Sequence, residues 1–229
     1  METPWDIRLI ESELYQSAGR CQKKASYNLN LVTPAPVVVR VGGWLFRQRT
    51  WLPLPLAVAL LVIPASPGGL GAPLFAAGLL LIVTGEALRL WSVHHIGAIS
   101  RTRSDRLGRL IASGPFAVVR NPLYIGNIAL WAGFAVTAGL FWLVPLVVLL
   151  LMCEYHAIVR WEETLLETRL GDSYRLYAAR VHRWWPTWIG PGASRSDAAF
   201  SWRQTLFSER GTLIAIAVGI ALMLLKRKT

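Results

Sequence analysis

Two polar stretches carry residues that could bind a charged ligand. The first, SGPFAVVRNPLYIG at residues 113–126, contains Arg120 and Tyr124, and the second begins at the adjacent acids Glu162 and Glu163. An arginine guanidinium binds a carboxylate through paired hydrogen bonds. A glutamate carboxylate accepts hydrogen bonds from an amino group or from ribose hydroxyls. These residue types could bind a ligand that carries charged and hydroxyl groups.

The first stretch also supplies apolar and aromatic side chains. Phe116 and Tyr124, with Leu110 and Ile111 just upstream, would suit the walls of an apolar slot for a flat ring such as adenine. Arg120, or backbone amides released by Pro122, would hold the carboxylate of the same ligand. The stretch therefore combines an apolar surface with groups that could bind a charged ligand.

The two stretches together resemble the paired signature of the isoprenylcysteine carboxyl methyltransferase and phospholipid methyltransferase superfamily. That signature is a GPY and RHPxYxG element followed by an EExxL and FGxxYxxYxxxVxRxxP element. The second half reads EETLL at residues 162–166 and GDSYRLYAARVHRWWP at residues 171–186. The resemblance covers about residues 78–190, and the combination of both halves makes it specific.

Two residues depart from the family pattern. Asn121 stands where the family usually has histidine, and Phe116 stands where it usually has tyrosine. Asparagine keeps the ability to form hydrogen bonds but does not titrate, which excludes a general base at position 121. Contacts made by the backbone at Asn121 would survive the change.

The resemblance implies an integral membrane methyltransferase that uses S-adenosylmethionine, needs no metal and acts on a lipid or lipid-like acceptor. It implies cofactor contacts at the motif positions and in the stretch just upstream: Leu110, Ile111, Phe116, Asn121, Pro122, Leu123, Tyr124 and Glu162. The residues predicted to take part in catalysis are Arg120, Tyr124 and Glu163.

The sequence leaves the acceptor open among a phospholipid amine, a prenylcysteine carboxylate and a hydrophobic thiol. A carboxylate or thiolate needs no base, whereas an ammonium group must first lose a proton. Candidate bases near the boundary are His94, His95, Glu86 and Tyr124, and the sequence does not choose among them.

Other function classes fit the sequence less well. A membrane sterol-type reductase with a nicotinamide cofactor would need more spans and a basic pocket for phosphate, and a non-catalytic membrane scaffold is the third alternative. Four histidines are too few for a membrane di-iron oxygenase, and His94 and His95 point about 100° apart on a helix. The formal net charge of +11 lies in arginine-rich segments that flank apolar runs, which indicates lipid headgroups rather than nucleic acid.

The elements that position these residues are membrane helices. Hydrophobic residues make up 54% of the 229 residues, charged residues only 16%, and the mean hydropathy is +0.42, which lies outside the range of ordinary soluble domains. The sequence predicts an all-α polytopic transmembrane protein of about five spans, with a cofactor pocket formed by loops and C-terminal helices at the cytoplasmic face. The predicted spans are residues 51–66, 70–91, 123–137, 140–158 and 211–225.

The polar segments between these spans complete the predicted organisation. A basic interfacial leader occupies residues 1–49, the methyltransferase core residues 50–190, and an extension with a last membrane helix residues 191–229. Residues 94–120 form a predicted arginine-rich loop, and residues 162–170 a separate short amphipathic helix. A tryptophan cluster at Trp184, Trp185 and Trp188 is expected in the headgroup layer. The excess of arginine predicts that these segments, and with them the cofactor site, face the cytoplasm. The expected location is a bacterial inner membrane.

Overall fold

The computed structural model describes residues 36–66, 71–97, 110–187 and 200–228. The chain divides into two units, Met1–Val37 and Val38–Thr229, and of the first only residues 36 and 37 are described. These ranges contain no strand. Their helices are α1 (Val37–Gln48), α2 (Pro53–Val62), α3 (Ala72–Ile96), α4 (Pro115–Val118), α5 (Pro122–Thr137), a 3-10 turn (Phe141–Leu143), α6 (Val144–Leu170), α7 (Asp172–Arg180) and α8 (Trp202–Lys228).

Three helices are long and apolar enough to cross a membrane: α3, α6 together with its 3-10 turn, and α8. Two shorter apolar helices, α2 and α5, lie between them in the chain. The prediction of an all-helical polytopic membrane protein is therefore confirmed. The five apolar helices of the described ranges correspond one by one to the five predicted spans.

The first predicted span is longer than the helix that forms. Helix α2 ends at Val62, because Ile63 precedes Pro64 and adopts an extended conformation with a ψ of 127°. The helix is not lengthened at its other end, since residues 43–46 belong to α1 and a turn separates α1 from α2. A single helix of ten residues is short for a full bilayer, which needs about 20.

Other helices extend beyond the apolar stretches of sequence that predicted them. Helix α3 continues to Ile96 and so includes His94 and His95, which were predicted in a loop. Helix α6 continues to Leu170, so residues 162–170 are not a separate amphipathic helix. Both helices end at a glycine with positive φ, Gly97 at 67° and Gly171 at 52°, a conformation that glycine adopts without steric cost. The loop residues 98–109, Trp188 and most of the predicted leader lie outside the described residues.

Helices α3 and α5 pack with their backbones in contact through two pairs of glycines. A Cβ atom on Gly85 would lie 2.7 Å from the carbonyl oxygen of Gly126, and one on Gly133 would lie 2.7 Å from that of Gly78. Seven residues separate the two glycines on each helix, which puts both pairs on one face about two turns apart. Small residues of this kind allow the close helix packing typical of membrane proteins.

Helix α1 packs against the C-terminal half of α6. A Cβ atom on Gly42 would overlap the carbonyl group of Ala157, and Phe46 contacts Trp161 with ring centroids 4.8 Å apart. The last part of the predicted leader therefore contributes a helix to the bundle. Arg49, which directly follows this helix, interacts electrostatically with Glu162 of α6.

The two ends of the bundle differ in character. At one end the Phe200 amide donates to the His94 carbonyl over 3.1 Å, and His94 stacks on Trp202. At the other end Lys226 Nζ donates to the carbonyls of Leu60 and Ile63, at 2.6 and 2.7 Å. Helix α8 thus runs the length of the bundle, and its basic C-terminus lies away from the end at which α3 terminates.

Candidate cofactor site

The first half of the motif folds around a glycine turn and two prolines. Gly114 has a φ of 57° and packs against the His95 imidazole, which places the motif at the C-terminal end of α3. Pro115 begins α4 and Pro122 begins α5. Proline suits the first turn of a helix because the amide hydrogen it lacks would have no intrahelical acceptor there. The short segment between these helices presents Val119, Arg120 and Asn121.

The second half of the motif pairs with this segment through main-chain hydrogen bonds. The Arg120 amide donates to the His182 carbonyl over 2.9 Å, and the Thr187 amide donates to the Val118 carbonyl over 2.7 Å. The Asn121 side chain donates to the Arg183 carbonyl over 3.1 Å. The two halves of the motif, which the sequence analysis paired, therefore lie next to each other in the structure. Asn121 serves as a donor here, which needs no titrating group.

Arg120, Glu163 and Arg183 form a partly buried ion network at this junction. Arg120 Nη1 lies 2.9 Å from Glu163 Oε1, and Arg183 donates to both carboxylate oxygens, at 2.9 and 2.6 Å. The side chains of Arg120 and Glu163 are 14% and 13% exposed, so solvent screens their interaction only weakly. Tyr174 lies 3.5 Å from the Arg120 guanidinium. One carboxylate therefore orients two arginines from different segments.

The neighbouring acid, Glu162, points to a different set of partners. The Tyr124 hydroxyl donates to Glu162 Oε1 over 3.0 Å, and the Tyr124 ring stacks on Tyr155 with centroids 4.8 Å apart. Among the described residues no donor reaches Glu162 Oε2. Arg49 interacts electrostatically with Glu162 and covers the Phe46 ring at 4.2 Å. Glu162 thus has one carboxylate oxygen without a hydrogen bond among the described residues, whereas Glu163 uses both of its oxygens in ion pairs.

The apolar residues predicted to line the cofactor differ in burial. Phe116 and Pro122 are buried, and Leu110, Ile111 and Leu123 are half-buried. The Phe116 carbonyl accepts a hydrogen bond of 2.8 Å from the Tyr177 hydroxyl, so α7 is attached to α4. The structure brings together Phe116, Arg120, Asn121 and Glu163 through α7 and residues 182–187. It links Tyr124 to Glu162 directly.

Two buried nitrogen donors at the junction have no acceptor among the described residues. They are Arg120 Nε and the indole Nε1 of Trp184. A buried donor without a partner costs about 1–3 kcal/mol, so such groups usually mark a site for a ligand or water. Sequence analysis gave Trp184 only a place in the headgroup layer. It packs against the core instead, whereas Trp185 is 77% exposed. In the sequence, the position of Trp184 directly after the motif residue Arg183 was the signal that it could lie near the site.

Two tyrosines of α7 give the junction a distinct pH dependence. Burial, and then the charge of Glu163, raises the pKa of Tyr174 to about 12, and burial also raises the pKa of Tyr177. The neutral phenol is favoured in the folded state, so this stabilisation is complete below the ordinary pKa of 10.0 and is lost as the pH rises through about 12. In an alkaline titration followed by tyrosinate absorbance, the difference between wild type and Tyr174→Phe should have its midpoint near pH 12. A midpoint near 10 would show that Tyr174 is exposed.

The described residues contain no group of three histidine, cysteine or acidic side chains that could hold a metal ion. His95 Nδ1 is 3.0 Å from the Trp91 carbonyl oxygen, and His94 Nδ1 is 3.3 Å from the Thr205 hydroxyl. Both imidazoles therefore take part in helix packing.

Comparison with known proteins agrees with the motifs. Residues 74–173 match the family model described as phospholipid methyltransferase, a range that includes Arg120, Tyr124, Glu162 and Glu163. No curated protein and no solved structure shows a significant match to the chain. The resemblance predicted from the paired motif is confirmed. Residues 74–173 therefore resemble the phospholipid methyltransferases, within the superfamily of membrane methyltransferases that the paired motif indicated and that includes the isoprenylcysteine carboxyl methyltransferases.

Proposed function

We propose that the protein is an S-adenosylmethionine-dependent methyltransferase that acts on a lipid or membrane-associated acceptor. The family domain supports methyl transfer in a membrane, and the junction of the two motif halves supplies a site for the cofactor. We further propose that this site faces the cytoplasm of a bacterial cell, where the cofactor is made. The acceptor classes are a phospholipid amine, a prenylcysteine carboxylate and a hydrophobic thiol.

The observation that carries this proposal is the set of unsatisfied polar atoms at the junction. Arg120 Nε and Trp184 Nε1 are buried donors without acceptors, and Glu162 Oε2 is an acceptor without a donor. The cofactor has a carboxylate to accept from the donors, and an amino group and ribose hydroxyls to donate to the acid. The chemistry of the vacant donors and acceptor therefore fits the cofactor.

Each predicted residue receives a role under this proposal. Arg120 binds the carboxylate of the cofactor, and Glu163 orients Arg120 for that contact. Glu162 accepts from the amino group or the ribose, and Tyr124 orients Glu162. The remaining predicted positions form the apolar slot and its backbone contacts: Leu110, Ile111, Phe116, Asn121, Pro122 and Leu123.

Catalysis under this proposal consists mainly of alignment and exclusion of water. When bound, S-adenosylmethionine supplies an electrophilic methyl group attached to a sulfonium. The residues of the junction hold the acceptor and the cofactor in line and keep the site dry, so that no covalent enzyme intermediate is needed. The apolar helices α5 and α6 beside the junction give a lipid acceptor lateral access from the bilayer.

The Glu162→Gln variant tests the cofactor site. We expect it to lose at least about tenfold in affinity for S-adenosylhomocysteine, because a charge-assisted hydrogen bond is replaced by a neutral one. Calorimetry on detergent-purified protein measures the affinity. Glu167→Gln is the matched control, because Glu167 lies on the same helix and pairs with Arg175 in solvent. Unchanged binding by Glu162→Gln, in protein that expresses and folds normally, would remove Glu162 from the site.

The Arg120→Ala variant separates binding from folding. Glu163 keeps its two hydrogen bonds to Arg183 after this change, so the network survives in part. We therefore expect a larger loss in cofactor affinity than in thermal stability. Calorimetry and the unfolding midpoint of the same preparation measure the two effects. Equal losses in both would give Arg120 a purely structural role.

A further inference from the structure

A cation from outside the range that matches the family model lies beside the candidate site. Arg49 directly follows α1, whereas the matched range begins at residue 74. Helix α1 packs against α6 through Phe46 and Trp161, whose ring centroids are 4.8 Å apart. The Arg49 guanidinium lies over the Phe46 ring at 4.2 Å. These contacts hold Arg49 next to the residue that precedes Glu162.

Arg49 and Glu162 interact without a hydrogen bond between them. The charge of Arg49 acts on Glu162 and on Tyr124, whose hydroxyl donates to Glu162 Oε1. Within the described ranges the Arg49 guanidinium forms no hydrogen bond or ion pair, and Glu162 Oε2 accepts no hydrogen bond. Both side chains are half-buried. The donors of Arg49 and one acceptor of Glu162 are therefore open to a ligand.

The chemistry of these two side chains favours one part of the cofactor. An ammonium group would be attracted by Glu162 but repelled by Arg49, and a carboxylate would be attracted by Arg49 but repelled by Glu162. A hydroxyl group is neutral, donates to a carboxylate and accepts from a guanidinium. S-adenosylmethionine carries two adjacent hydroxyls on its ribose. The ribose therefore matches Arg49 and Glu162 better than either charged group of the amino acid end.

We infer that Arg49 is a further binding residue of the cofactor site and that it binds the ribose hydroxyls together with Glu162. This inference rests on the proposed function and decides between the two cofactor groups that were left open for Glu162. Glu162 accepts from the hydroxyls, Arg49 donates to a hydroxyl oxygen, and the amino acid end lies toward Arg120 and Trp184. The matched range 74–173 therefore does not contain the whole site.

Ligands with ribose and deoxyribose test the inference on the detergent-purified full chain. Calorimetry compares 5′-methylthioadenosine, which lacks the amino acid end, with its 2′-deoxy and 3′-deoxy analogues. We expect wild-type protein to bind the parent compound about tenfold more tightly than at least one analogue, because hydrogen bonds to charged groups are lost. Arg49→Met should reduce this preference by at least about threefold, since one of the two partners of the hydroxyls is removed. Arg47→Met, the same change at an exposed position of α1, should retain it.

The outcomes separate this inference from the proposed function. Wild-type protein that binds S-adenosylhomocysteine but shows no preference for ribose would overturn the inference alone. So would an Arg49→Met variant that loses affinity equally for all three nucleosides, because the unchanged preference would give Arg49 a purely structural role. If Arg49→Met does not fold, Arg49→Lys, which keeps a cation but lacks the planar donors, should show the reduced preference instead. Failure of folded wild type to bind any of these compounds would refute the proposed function and the inference with it.

Discussion

Replacement of Glu163 by alanine is expected to destabilise the protein by about 3 kcal/mol, the low end of the cost of breaking a buried ion pair, because it leaves two partly buried arginines without their shared carboxylate. Arg120 and Arg183 then face each other at the junction of the motif halves, with side chains 14% and 25% exposed. The midpoint of thermal unfolding in mild detergent should fall by roughly 10 °C. Cofactor binding should be lost together with stability, since Glu163 orients Arg120.

The same helix offers a control for this prediction. Glu167 forms an ion pair of similar length with Arg175, but both side chains are exposed, at 49% and 63%. Solvent screens such pairs, so Glu167→Ala should leave the unfolding midpoint nearly unchanged. Equal midpoints for Glu163→Ala and Glu167→Ala would mean that the network between the motif halves does not stabilise the fold.

A second large loss of stability is expected when a methyl group is added between α3 and α5. In Gly133→Ala the new Cβ atom would lie 2.7 Å from the Gly78 carbonyl oxygen and 2.8 Å from the Ile82 amide nitrogen. Both are backbone atoms, so the helices must move apart at a cost of about 1–3 kcal/mol. The double variant Gly85→Ala with Gly133→Ala, which enlarges both glycine contacts, should lose more than either single variant. Thermal unfolding of purified protein measures the loss.

Gly211 is the matched control for the glycine contacts. It lies on α8, and a Cβ atom there meets nothing within 4 Å. Gly211→Ala should therefore be neutral, or stabilising by up to about 1 kcal/mol through its higher helix propensity. A loss at Gly211 equal to that at Gly133 would indicate that the cost arises from something other than contact between α3 and α5.

The order of the apolar helices in the described residues could be predicted from the sequence because long apolar runs have no stable place in water. Their ends could not be predicted, since backbone hydrogen bonds continue through polar residues. His94 and His95 extend α3, and Glu162 lies within α6, until a glycine with positive φ ends each helix. At α2 a proline signal was present in the sequence at residue 64 and shortens the helix.

The residues of the site could be predicted, but their partners could not. Adjacent residues on a helix point about 100° apart, so Glu162 and Glu163 must face different surroundings, yet the sequence does not say which. The tertiary structure assigns Glu163 to the two arginines and Glu162 to Tyr124. The sequence could not distinguish Trp184 from its tryptophan neighbours, because the burial of the Trp184 indole depends on the fold of residues 182–187.

Calorimetric titration of the detergent-purified full chain with S-adenosylmethionine and S-adenosylhomocysteine tests the central proposal most directly. We expect saturable binding of both, weakened by Glu162→Gln and unaffected by Glu167→Gln. Failure of folded protein to bind either compound would contradict the assignment of the junction between Arg120, Glu162 and Trp184 as a cofactor site.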